Sequence, residues 1–376
     1  MEAKEPGGVN MNNGKYTMKK LIMLICLLSL FFCCSSQKAE WQGTTEEVDG
    51  VTVVKNPKEP MYGEDVFILE EELSIGDVEG KEEYMFLDAR EVAVDNRERI
   101  FVSDIRGIHI KVFDKFGNYI TTIGRQGQGP GEFGRITNIQ ITAGNELMVH
   151  DRSTRRLSFF SLDGEYLRTE QLKEIQASRI RVNSKGNYFV RTLDFDSATF
   201  SSAIELKMYS SDLAFIGIIA KDKYWSQKAP LQPSMASKFL SSDLIVCGLR
   251  ETYEFQIFDS DGKIIRKVSR DYVPVEISEE EKEKRRLSQS NELPKFFPAF
   301  QAFSVDDEGR IYVQLFERQT DGDKFYYDVF DPVGKYIAKV LLNALPQYWK
   351  NSKMYSIELN EEGFQVVKRY KVTWKY

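Results

Sequence analysis

Histidine is nearly absent from the 376 residues: His109 and His150 are the only two. Two imidazoles cannot build a multi-histidine metal cage, so that class of mechanism is excluded. Long apolar runs are missing as well. Leu21 to Phe32 gives only twelve uncharged residues, whereas a stable membrane-spanning helix needs about 20. Cysteine is scarce, and three of the four (Cys26, Cys33, Cys34) sit in that early segment, which leaves Cys247 alone in the body of the chain. A basic excess is lacking too: 51 Lys and Arg face 57 Asp and Glu, a net charge of −6, which argues against nucleic acid as a partner. What is present is 42% hydrophobic residues with 12% aromatics, enough for a packed and β-rich core.

Met18-Lys19-Lys20, the apolar stretch and the small residues after it follow the layout of a secretory signal peptide. Residues 1–17 are polar and glycine-rich, and read as an upstream extension before the true start at Met18. Cys33-Cys34-Ser35-Ser36 resembles a bacterial lipoprotein lipobox, with cleavage after residue 33 and lipid on Cys34. The resemblance implies a signal over 18–33 and a lipid that holds the protein to a membrane without a span. Cys34 is then spent on lipid, and no intramolecular disulfide remains possible. Residues 34–61 are polar with two prolines and read as a flexible tether. Cys247, inside the apolar Leu244–Leu249, reads as a buried small hydrophobe.

From residue 88 onward the chain repeats itself. Glu91–Asp95, Arg99–Asp104, Ile108–Phe113 and Tyr119–Ile123 are short runs rich in β-branched and aromatic residues, separated by turn formers. The turn before the fourth run recurs with its last residue at Gly117, Gly164, Leu213, Gly262 and Gly334, spacings of 47, 49, 49 and 72. Removing an insertion over 273–296 brings the last spacing to the common value. Four antiparallel strands at a period in the forties predict a β-propeller. Five repeats are complete, and the C-terminal strands lack a final one. Val66–Ile75 supplies it, so the prediction is an all-β, six-bladed propeller of four-stranded blades over 62–376, closed by pairing of N- and C-terminal strands; seven blades or an incomplete ring are the alternatives. Insertions interrupt it at 222–235 and 273–296. The second, with Ser278 and Glu281 set as a capping box, predicts one short helix.

Gly124 through Phe133, then Ile139, Glu146–Val149, Asp151 and Leu157–Phe160, resemble an NHL-type repeat. More narrowly, the chain resembles the six-bladed β-propeller lipoproteins of Bacteroides-type bacteria. The resemblance implies a cell-envelope protein, anchored to the outer membrane and facing the periplasm or the surface. It implies no particular activity.

The glycine run 124–131 fits neither the dinucleotide motif nor the phosphate-loop motif; it reads as an interblade connection. The histidines occupy different phases of successive repeats and read as strand residues. No Ser/His/Asp arrangement is recognisable, so no catalytic residue is assigned and the protein is expected not to be an enzyme. Metal and cofactor are expected to be absent, although the acidic turns 306–308 and 321–323 carry oxygen ligands of the kind calcium uses. Arginine is dense between residues 97 and 191, and Arg125, Arg152 and Arg179 on adjacent blades form a candidate anion-binding side. Tyr224 and Trp225, in the smaller insertion, are candidate stacking residues for a sugar ring. The expected function is a monomeric binding or scaffold module for an envelope protein, peptide or glycan, held at the channel mouth by interblade loops. The alternative is a metal-dependent propeller hydrolase or lyase.

Overall fold

The computed structural model describes residues 1–3, 40–76, 80–223, 225–226, 235–239, 243–284, 294–319 and 324–376. The chain divides into Met1–Glu40 and Trp41–Tyr376, and every strand among the described residues lies in the second unit. The leader, Cys34 and Tyr224 lie outside the described residues, as does the side chain of Trp225.

Six sheets follow one another along the chain. The first three strands are β1 (Thr44–Val48), β2 (Val51–Asn56) and β3 (Phe67–Ile75). Blade I is β4 (Ala89–Val94), β5 (Ile100–Asp104), β6 (His109–Phe113) and β7 (Tyr119–Ile123). Blade II is β8 (Ile136–Ile141), β9 (Glu146–Asp151), β10 (Arg156–Ser161) and β11 (Tyr166–Gln171). Blade III is β12 (Ala177–Val182), β13 (Tyr188–Asp196), β14 (Ser201–Tyr209) and β15 (Phe215–Lys221), with the short β16 (Trp225–Ser226) also paired to β14. Blade IV is β17 (Ala236–Phe239), β18 (Ile245–Gly248), β19 (Glu254–Phe258) and β20 (Ile264–Arg270). Blade V is β21 (Ala302–Val305), β22 (Ile311–Arg318), β23 (Phe325–Phe330) and β24 (Tyr336–Leu342). Blade VI is β25 (Tyr348–Lys350), β26 (Lys353–Leu359) and β27 (Gln365–Trp374), completed by β3.

The ring closes as the sequence predicts: β3 pairs antiparallel with β27, from Val367 opposite Ile75 to Trp374 opposite Phe67. That pairing removes the open edge a C-terminal blade of three strands would leave. Buried aromatic and branched side chains fill the space between neighbouring blades. Phe133, in the connection from blade I to blade II, is fully buried and packs 5.7 Å from Phe160. The recurring turn has the expected backbone, with positive φ at Gly117, Gly164, Leu213, Gly262 and Gly334.

The tether reading of 34–61 needs correction over its second half. Val54 and Asn56 are buried, and β2 runs parallel to β20 as an added strand on the outer edge of blade IV. The Asn56 amide donates to Ser269 O and Gly334 O, and its oxygen accepts from Trp41 Nε1 and Tyr336 N. Four bonds of one buried side chain lock this segment down.

Both insertions are tied at their bases. Asp222 accepts a hydrogen bond from Met235 N at 2.8 Å, which joins the two ends of the smaller one. In the larger, Ile277 N bonds Lys295 O and Phe297 N bonds Val275 O, and Phe297 stacks on Phe316 at 4.7 Å. The helix is present as α1 (Glu279–Lys284), with Ser278 Oγ accepting from Glu281 N.

Candidate functional site

Six inner strands converging on one axis leave a channel. Its cavity, about 460 Å³, is lined by residues from the innermost part of every blade, including Glu91, Gln140, Arg179, Lys238, Asp306 and Tyr348. The inner strands of blades II and III, β8 and β12, are stitched together by side-chain amides standing in for a β-ladder. Asn138 donates to Ile180 O and accepts from Ile180 N, at 2.9 and 3.0 Å. Gln140 does the same with Val182, at 2.7 and 2.9 Å. Gln365, the first residue of β27, makes the same two-point contact with β4 of blade I, accepting from Ala89 N and donating to Ala89 O. Such contacts fix the height of β12 against β8 and of β4 against blade VI, and so position Glu91, Gln140 and Arg179 at the channel.

The charged cluster is built on that frame. Glu91, Arg179 and Lys238 are each the third residue of their inner strand. The Glu91 carboxylate accepts from Ile139 N at 3.0 Å and pairs with Arg179 at 2.8 Å and Arg181 at 3.2 Å. One carboxylate thus joins three blades. Burial opposes its ionisation, but Arg181, Arg179, the Ile139 N–H and Lys238 together outweigh that and hold it below the usual carboxylate range. Lys238 is affected the other way. Burial, then repulsion from Arg179 and Arg181, lower its ammonium to about 8, with Glu91 only partly compensating.

The structure distributes the predicted residues unevenly. Arg179 reaches the channel. Arg125 does not: it is largely exposed and pairs with Glu132 of its own interblade loop at 2.9 Å. Arg152 is exposed in the loop after β9, where its backbone N–H bonds Arg135 O. Trp225 is described only by its backbone, opposite Ser202. Arg181 was legible as part of the arginine-rich stretch, whereas Glu91 and Lys238 carried no local signal. Their one trace is positional, an ionisable residue at the third place of the first strand of a repeat.

Other motifs have structural work. In the glycine run, Gly124 has φ of 77°, and a Cβ there would stand 2.1 Å from the Phe133 ring. The buried Arg156 clasps this loop by donating to Gln128 O, Gly129 O and Glu132 O. Asp104 and Asp151, each the last residue of a second strand, hold backbone N–H groups of the incoming connection: Leu87 and Asp88 in one blade, Gly134 and Arg135 in the next. His150 is buried against Thr137 Oγ1 at 2.6 Å, and burial lowers its imidazole to about 4. It is therefore neutral and does not line the cavity. Burial likewise pushes the Cys247 thiol up to about 12. Among the described residues, no group of three His, Cys, Asp or Glu is placed to hold a metal ion; residues 321–323 lie outside them.

Residues 77–364 match the profile of DUF5128, described as a 6-bladed beta-propeller. No curated protein matches the sequence. Among solved structures, a Bacteroides fragilis NCTC 9343 protein whose name provisionally assigns it to export is similar with a TM-score of 0.55 at 11% identity, covering 86% of this chain and 100% of its own. A member of the duf4221 family from Bacteroides vulgatus gives a TM-score of 0.52 at 12% identity, covering 83% of this chain and 100% of its own. At these identities the likeness is one of fold.

Proposed function

The chain belongs to the DUF5128 family of six-bladed β-propellers, and from that scaffold we propose an exported, lipid-anchored binding module whose ligand is held in the central channel. The observation that carries the reading is the channel itself: a cavity walled by all six blades in which three cationic side chains gather around one carboxylate. Concave sites of a few hundred Å³ with a few convergent polar groups are the ordinary form of a ligand site. A rigid wall favours this one, because the amide pairs between β8 and β12 leave that side of the channel little freedom to collapse into the space.

The ligand class is a small molecule, or a terminal group of a peptide or glycan, that fits within the channel. The anchor is Cys34 behind the leader, and it places the module at the envelope membrane, where such ligands are available. The two insertions interrupt the third-to-fourth and fourth-to-fifth blade connections, where a larger partner would meet the protein.

Two measurements test this. Protein released gently from its native envelope is examined by native mass spectrometry, beside Val182→Trp, which fills the channel wall. A bound species in the parent that is missing from a folded Val182→Trp supports the reading; retention of the same species by the variant overturns it. A fatty-acid probe that labels the parent but not Cys34→Ala supports the anchor, and equal labelling rejects it.

A further inference from the structure

Asp95, Asp243, Asp306, Asp307 and Lys350 line the cavity as well, but in the cluster around Glu91 the charges do not balance. Arg179, Arg181 and Lys238 face the single carboxylate of Glu91. That carboxylate is already shared between two guanidinium groups and the Ile139 N–H. Lys238 feels that carboxylate only at a distance: among the described residues its ammonium makes no hydrogen bond or ion pair, and Glu91 offsets only part of the repulsion from Arg179 and Arg181. A half-buried ammonium on a cavity wall with no partner among the described residues is placed to meet a negative charge brought by a ligand. Arg179 is nearly half exposed towards the cavity, so its fork is only partly used by Glu91 and remains reachable.

We propose that Arg179, Arg181 and Lys238 form a receptor for an oxyanion group, a carboxylate or a phosphate or sulfate ester, on the small ligand that enters the channel. This rests on the channel being the binding site. The division of labour follows from the side chains. Guanidinium forks grip two oxygens at once, and the ammonium supplies a point charge that can meet a third. Glu91 is the internal counter-ion. It holds the two guanidinium groups together without satisfying either, and leaves a surplus of positive charge for an incoming anion. Tyr348 and Phe239, on the same wall, give the body of the ligand an aromatic surface.

The test is titration calorimetry on the full chain in a chloride buffer, with citrate, glucuronate, glucose 6-phosphate and glucose as probes. At least one anion is expected to bind tenfold or more tightly than glucose. Lys238→Met and Arg179→Gln are each expected to weaken it tenfold or more, Lys238→Arg much less. Citrate and glucuronate against glucose 6-phosphate separate carboxylate from phosphate recognition. The proposal is overturned if no anion exceeds glucose, or if Lys238→Met binds the anion as well as the parent. A neutral ligand lost in Val182→Trp but indifferent to Lys238→Met would overturn the oxyanion receptor and leave the channel reading standing.

Discussion

Glu91 and Arg179 meet at 2.8 Å across the channel, although one belongs to blade I and the other to blade III. The contact exists only because the ring is closed, and it sets the carboxylate where Arg181 and Ile139 N also reach it. Glu91→Gln keeps the shape but removes the anion, and leaves three cations facing one another. Breaking a buried pair in this way costs about 3–5 kcal/mol where both groups are fully enclosed; with Arg179 partly solvated, about 2–3 kcal/mol is expected, read from urea midpoints. The pH dependence has a definite sign. The folded state holds the Glu91 carboxyl below its ordinary value, so its contribution is present above about pH 4.5 and is lost as pH falls through the lower folded value. The gap between parent and variant should therefore close on acidification; a constant gap would mean that the carboxylate charge is not what stabilises.

Lys238 gives a second pH signature. Its ammonium is lowered to about 8, below the ordinary value near 10.4. Between those values the unfolded chain holds a proton that the folded chain has released, so stability rises with pH across that window. The rise should be absent in Lys238→Met, which is also expected to be more stable than the parent at pH 7. Anion binding runs the other way. It favours the protonated amine, so affinity falls above pH 8; Arg179, Arg181 and Glu91 are the other charges that face it. Calorimetry in buffers of different ionisation enthalpy would detect proton uptake near pH 8 in the parent and none in Lys238→Met.

The repeat was legible because its signal is local. Asp114–Gly117 and Ser161–Gly164 are turns whose residue types dictate positive φ, and the strands between them alternate in place. The channel was legible only in part, because it is assembled from residues far apart in sequence. Arg179 stood out through the density of arginine around it, whereas Lys238 sits alone between Ser237 and Phe239 and acquires its meaning only when β17 faces β4 and β12. The hairpin of β1 and β2 was misread for a related reason. Thr44–Val48 is exposed throughout, and Val51–Asn56 finds its partner in β20, more than two hundred residues away. Two nearby prolines and a polar composition then outweigh a strand pattern whose burying partners, β20 and Tyr336, are distant in sequence.

Asn56 is the residue that decides between hairpin and tether. It is buried, and its side chain makes four hydrogen bonds to Trp41, Ser269, Gly334 and Tyr336. Asn56→Ala leaves those partners wanting, at about 1 kcal/mol for each bond that water cannot replace. A loss of about 2–3 kcal/mol is expected, together with faster amide exchange along β20. Unchanged exchange at β20 would show that β2 does not protect that edge in solution.

Between blades IV and V lies the most enclosed ion pair described in the ring. Asp328 is fully buried, paired with Arg270, and accepts from Tyr253 Oη at 2.5 Å and Tyr336 Oη at 2.7 Å. Arg270 in turn lies over the Tyr336 ring at 4.5 Å and donates to Lys58 O, so the network also reaches the segment after the N-terminal hairpin. Asp328→Asn would leave the guanidinium without its counter-charge in an apolar surrounding, a loss expected at about 3–5 kcal/mol. Tyr336→Phe removes one hydrogen bond and keeps the charge pair, for about 1 kcal/mol. The ordering of the two variants carries the argument. Equal losses would mean that packing of the rings, rather than the buried charge, ties blade V to its neighbour.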